Sequence, residues 1–406
     1  MDQHNTILNQ EESTDLFWGF SRDFWVLCVV VFSFFFSFNL VIPQLPGFLK
    51  SLDGEQYLGW IIGAFAFAAL LSRPFSGKLI DHIGRRPVML VGILVSIVVS
   101  FGYPMVHGVT SFLALRFLHG FSAGFTPTAT TAMISDIVPV KKRGEAMGIV
   151  GMAGNIGMSL GPALGSEVGV KYGNQTMFLV AGVIAILSIV PALKMKESIR
   201  GTTKFHLGML KLKLVEIIET RVILQGTIMT LGVVTFGALL TLVPDYAKQF
   251  GIERNGYFFT VVTVTSLTVR VLSGKLSDKF GREIVLVVGI AFLITANILL
   301  ISAQSVVTFF VAGAIFGIST GINSPTLFAW TIDRGNQKAI GRGISTLFIF
   351  LEIGIITGSV IPAKLYNNVP GQMPRAFIFS LACAILAFIL TFWAYLKTRK
   401  PRVESF

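Results

Sequence analysis

The chain has 406 residues, 53% of them hydrophobic and 13% charged, with a mean hydropathy of +0.74, a composition that excludes a water-soluble globular domain. At roughly 20 apolar residues per crossing of a hydrocarbon core of about 30 Å, it holds enough apolar chain for about twelve membrane-spanning helices. The net charge of +12 implies no nucleic-acid partner, because the basic residues fall between the apolar stretches instead of forming one surface.

Residues 1–23 carry Asp2, Glu11, Glu12, Asp15 and Asp23 and lack a basic leader with a cleavage site, so they read as a cytoplasmic tail. Six apolar stretches follow within 24–193, approximately 24–49, 57–75, 87–105, 110–134, 146–170 and 176–193. Residues 194–221 separate them from a second set and hold seven Lys and Arg, with Leu207, Leu210, Leu214, Ile217 and Ile218 at helical spacing. This central loop reads either as an interfacial amphipathic helix or as a basic, flexible linker. The second six stretches lie within 222–396, approximately 222–243, 257–272, 284–302, 306–332, 344–363 and 376–396, and 397–406 form a second tail. With the amino terminus inside, 24 of the 33 Lys and Arg fall in cytoplasmic segments, which orients both termini to the cytoplasm. Cys28 and Cys383 sit singly in apolar runs, so no disulfide or metal-ligand set is expected.

The two sets repeat. SRPFSGKLIDHIGRRPVMLVGI from Ser72 and VRVLSGKLSDKFGREIVLVVGI from Val269 share 12 of 22 positions at an offset of 197, which also pairs Gly120 with Gly317, Asp136 with Asp333, Asn155 with Glu352 and Gly161 with Gly358. Direct duplication of a six-helix unit predicts an all-α membrane fold of two bundles in parallel repeat, with substrate handled between them. In the loop after the second span, Gly77 and Gly84 allow a tight turn, while Asp81 accepts from backbone amides or from Arg85, and Arg85 reaches Asp136, forming an ionic latch. Gly274, Asp278, Gly281, Arg282 and Asp333 reproduce it.

These loops resemble the signature loop of the major facilitator superfamily, and the likeness covers essentially the whole chain. The resemblance implies alternating access by rocking of the two bundles, with the latch closing the inner gate. In the fourth span, Arg116 and Gly120 resemble the superfamily's arginine motif associated with proton coupling, with His119 where Gln is usual. In the fifth, Gly148, Gly157, Gly161, Pro162 and Gly165 resemble the glycine-proline motif of drug:proton antiporters, with Ser166 at the usual final glycine. Glycines one helical turn apart form a groove for a neighbouring helix, and Pro162 weakens the backbone ladder.

Proton coupling needs a carboxylate inside the membrane, and Glu352, about 18 Å along its helix from Ile340, is the acid near the middle of an apolar stretch. Arg116 is expected to tune its charge or partner it, and His119 is the second titratable candidate. Asn39, Gln44, Phe34, Phe38 and Asn155 are candidates for the substrate cavity. No catalytic, nucleotide-binding or metal motif is present and no cofactor is implied. The expectation is therefore a non-enzymatic, monomeric cell-membrane transporter that exports small amphipathic compounds in exchange for protons. The alternatives are a proton-coupled carrier of one sugar or metabolite and, less supported, a sensor without flux.

Overall fold

Where water is excluded, each backbone amide must find a partner within its own segment or a closed barrel, and a chain this apolar accordingly folds as helices. The structure is a computed structural model that describes residues 17–54, 57, 60–199, 201–211, 217–252, 256–366 and 372–399, and it contains no β-strand among them. Most of each tail, and residues 212–216 of the amphipathic stretch, lie outside the described residues. Within that stretch Leu207–Leu210 is a 3-10 turn.

Helix α1 (Arg22–Leu40) begins at Ser21, whose hydroxyl accepts from the Phe24 amide. Pro43 and Pro46 then force a 3-10 turn at Ile42–Gln44 before α2 (Leu45–Lys50) resumes the helix. There follow α3 (Trp60–His82), α4 (Arg85–Gly102), α5 (Val109–Ile137) and the 52-residue α6 (Arg143–Lys194). Gly173, with φ 85° and ψ 162°, breaks α6 into two arms, and only glycine takes that backbone conformation without strain. Unbroken, 52 residues would extend about 78 Å, far beyond one membrane crossing. The later helices are α7 (Ile223–Gln249), α8 (Gly256–Phe280), α9 (Arg282–Ile301), α10 (Val306–Arg334), α11 (Ile340–Tyr366) and α12 (Met373–Arg399).

Nine stretches among the described residues are long and apolar enough to cross a membrane. The helices carry apolar side chains outward as well as inward: Val98, Leu187, Val288 and Ile389 are exposed, as expected of helices solvated by lipid. Inside, Phe24, Leu27, Met89 and Ile134 pack in a first core, and Phe258, Phe309, Phe316 and Phe377 in a second. The first half packs α1 along α6 and α3 and α4 against α5, while the second packs α7 along α11 and α8 and α9 against α10. The halves meet along two seams, α3 against α11 and α6 against α8.

Candidate functional site

Both seams are tied at the end of the bundle that carries Asp81 and Asp278. The first four amides of any helix lack intrahelical partners, and a carboxylate placed there satisfies them and meets the positive end of the helix dipole. Asp81, at the end of α3, does this for α11: its two carboxylate oxygens accept from the amides of Gly341 at 2.8 Å and Arg342 at 3.0 Å. Asp278, at the end of α8, does the same for α6, accepting from Gly144 and Glu145 at 2.9 Å each. Each acid therefore caps a helix of the opposite half.

An arginine four residues on holds each acid. Arg85 donates to Asp81 and to Asp136, both at 3.0 Å. Arg282 donates to Asp278 and, at 3.0 Å, to Asp333. Gly84 (φ 109°) and Gly281 (φ 100°) turn the chain between acid and arginine through backbone open mainly to glycine. Asp333 also accepts from Arg143 across the seam at 3.0 Å, whereas Asp136 takes the Ser198 hydroxyl at 2.6 Å. Gly77 and Gly274 let the seams close: a Cβ on Gly77 would stand 2.6 Å from that of Ser345, and one on Gly274 would overlap the Gly144 carbonyl.

Further along the first seam, Glu352 of α11 meets Arg73 of α3. Their charged atoms are 3.4 Å apart, and the side chains are 15% and 5% exposed. Arg73 also donates to the Thr128 hydroxyl at 3.0 Å, and its guanidinium lies 4.0 Å above the Phe348 ring. The Ser345 hydroxyl donates to the Arg73 carbonyl at 2.6 Å, fixing the register of the two helices. A carboxylate, one hydroxyl contact and an aromatic face compensate a cation that would otherwise be costly to bury.

Arg116 stands elsewhere. Its Nε donates to the Ile61 carbonyl at 3.0 Å and its guanidinium lies 5.0 Å from the Phe65 ring centre, so the structure brings Arg73, and not Arg116, to Glu352. His119 is fully buried, with Nε2 3.4 Å from the Ser96 hydroxyl and the Phe38 ring packed edge-on. Arg116 Nη1 and His119 Nδ1 are buried without a hydrogen-bond partner.

The glycine-proline stretch divides between two neighbours. Gly157, Gly161 and Gly165 face α1: a Cβ on Gly157 would be 2.5 Å from the Phe32 carbonyl, and one on Gly165 would overlap that of Leu40. Gly148 faces α8 instead, against the Arg270 backbone. Pro162 lies within the first arm of α6. The mates at the offset of 197, Gly354 and Gly358, press on Thr230 and Val234 of α7.

The candidate cavity residues each have their own neighbours. Phe34 is buried in the first core, Phe38 stacks on Phe65, Asn39 donates to the Phe35 carbonyl, and Gln44 lies against Gly169. Asn155 is half-buried on α6. Two tethers on the connecting segments are absent from the sequence reading. Glu197 accepts from the Arg85 and Arg86 amides, capping α4, and the buried Glu219 accepts from Arg342 Nε at 3.0 Å. Arg73 had one local signal: it is a cation within an apolar stretch.

A model of the Major Facilitator Superfamily matches residues 27–268 and again 227–405. The multi-drug resistance efflux pump PmrA of Streptococcus pneumoniae is 28% identical, the match covering 88% of this chain and 91% of that one. The multidrug resistance protein MdtG of Escherichia fergusonii is 28% identical over 90% and 93%. Among solved structures, the human organic anion transporter MFSD10 (TETRAN) superposes with a TM-score of 0.77 over 91% of this chain and 98% of that one, at 18% identity, a likeness of fold. The chain belongs to the major facilitator superfamily: it is a multi-pass membrane transporter of small molecules and not an enzyme.

Proposed function

We propose that the chain has twelve spans, in six-helix bundles at 24–193 and 222–396 joined by 194–221, and exports small amphipathic compounds in exchange for protons. It works as a monomer in the cell membrane with both termini cytoplasmic, which places the Asp81 end inside. Efflux relatives along nearly the whole chain support the direction. The observation that carries the coupling is the Arg73–Glu352 pair at 3.4 Å, because it ties a titratable group to the contact between the halves.

With the Asp81 end closed, ionised Glu352 holds Arg73 and so holds α3 to α11. A proton arriving from outside neutralises Glu352 and leaves Arg73 to Thr128 and the Phe348 ring. The first seam weakens, the Asp81 and Asp278 caps separate from the helices they hold, and the site opens inward. Substrate then enters as the proton leaves, and the restored ion pair favours the return. Removing one member of a buried pair typically costs about 3–5 kcal/mol, enough to reverse a two-state equilibrium. His119, whose Nδ1 is unpartnered, is the second titratable candidate on α5, with Arg116 as the fixed charge beside it. The glycines of α6 keep it close to α1 while the bundle moves as a unit.

The test is proton movement in proteoliposomes holding a pH-sensitive dye, challenged with lipophilic cations, zwitterions, anions and neutral sugars. Amphiphile-driven proton movement in the parent and none in Glu352→Gln is the expected result. Movement that survives the substitution removes Glu352 as carrier; a response to one sugar and to no amphiphile establishes the metabolite carrier instead.

A further inference from the structure

The repeat places a second arginine where Arg73 has its carboxylate, but there the acid is missing. Arg270 of α8 is the mate of Arg73 at the offset of 197, as Asn155 of α6 is the mate of Glu352. Arg270 is 8% exposed and lies in the second seam: a Cβ on Gly151 of α6 would collide with its guanidinium. Its Nη2 donates to the Ser324 hydroxyl of α10 at 3.1 Å, and its Nε, like that of Arg73, is buried with no partner, so the missing carboxylate is what separates the two arginines. Among the described residues no carboxylate pairs with it. Asn155 lies one helical turn from Gly151, so the neutral amide occupies the level at which Glu352 serves Arg73. A permanently charged guanidinium deep in a membrane protein, without the anion that its repeat mate has, is costly unless something supplies one.

We infer that Arg270, with Ser324, is a carboxylate-binding subsite of the transport path, and that the substrate is an amphipathic organic anion or zwitterion whose carboxylate stands to Arg270 as Glu352 stands to Arg73. The inference rests on the transporter reading and narrows its substrate class. The guanidinium fork matches a planar carboxylate with two acceptor oxygens and a charge, whereas a neutral carboxamide offers one acceptor, no charge and an NH2 that faces the guanidinium donor to donor. The seam position exposes the ligand to one side of the membrane or the other as the halves rock.

The test is equilibrium binding of 1-naphthoate and its neutral isostere 1-naphthamide to the purified full chain in a nonionic detergent. The parent should bind the acid about tenfold more tightly than the amide, the discrimination expected of one charge-assisted hydrogen bond in a buried site. Arg270→Gln should lose that preference while keeping amide affinity within about twofold, and Arg270→Lys should retain part of it. Ser324→Asp, which supplies Arg270 with an internal carboxylate, should also abolish the preference, and it answers the question if Arg270→Gln does not fold. A parent that binds acid and amide alike, an Arg270→Gln protein that loses both equally, or a Ser324→Asp protein with full acid preference would each overturn the inference. Proton flux absent with acid preference intact counts against antiport alone; acid preference absent with flux intact counts against this subsite alone.

Discussion

Arg73 and Glu352 are 279 residues apart in sequence, and their pairing shows how far local pattern reaches. The acid could be chosen from the sequence because a carboxylate in mid-span is costly and therefore conspicuous. Its partner could not, because Arg73 and Arg116 are both cations within apolar stretches and only the packing of α3 on α11 separates them. If the pair works as a unit, Arg73→Gln and Glu352→Gln will not be additive in thermal denaturation. Each single variant should be destabilised by about 3–5 kcal/mol, and the double variant should recover at least about 1 kcal/mol against the sum. Additive losses would mean that the two side chains do not depend on each other. Glu197 is a simpler case: Glu197→Ala removes the α4 cap and should cost about 1 kcal/mol in the same assay.

At the scale of the helix, close approach decides. The turn-spaced glycines of α6 were legible because one-turn spacing of small residues produces a groove whatever lies in it. That Gly148 belongs to a different contact also follows from spacing, since the nine residues to Gly157 are two and a half turns and put it on the opposite face; that the two partners are α1 and α8 is set by the packing of the bundle. Because a Cβ at Gly165 would overlap the Leu40 carbonyl, Gly165→Val should cost about 1–3 kcal/mol or more of stability and abolish transport. The same change at Gly47, where a Cβ meets nothing within 4 Å, should be nearly silent; thermal melting and transport by both variants check the contrast. In the amphipathic stretch of the central loop Leu207–Leu210 forms a 3-10 turn, and Leu214 lies outside the described residues.

At the scale of the molecule, the acids of the repeated loops each bind a helix start in the opposite half. The motif spacing made Asp81, Arg85 and Asp136 neighbours on paper, since all three follow from one turn and one adjacent helix. The amides of Gly341 and Arg342 were beyond that reasoning, because they lie 260 and 261 residues from Asp81. Loss of the caps should open the Asp81 end. In a protein whose Cys28 and Cys383 are replaced by serine, alkylation of Ser345→Cys by a membrane-impermeant maleimide should accelerate about tenfold when Asp81→Asn and Asp278→Asn are combined, a shift of about 1.4 kcal/mol. Each substitution alone should give a smaller rise, and an unchanged rate in the double variant would show that the caps do not hold the seam.

Glu352 is the point at which charge, seam and motion meet, and the distance between the halves reports on all three. Spin labels at His82 and Lys338, both exposed at the Asp81 end, can be followed by pulsed electron-electron resonance in nanodiscs. Coupling through the Arg73–Glu352 pair predicts that acidification lengthens the distance in the parent, and that Glu352→Gln holds the long distance already at neutral pH and no longer responds to acid. A Glu352→Gln protein with the parent's short distance and the parent's acid response would contradict it.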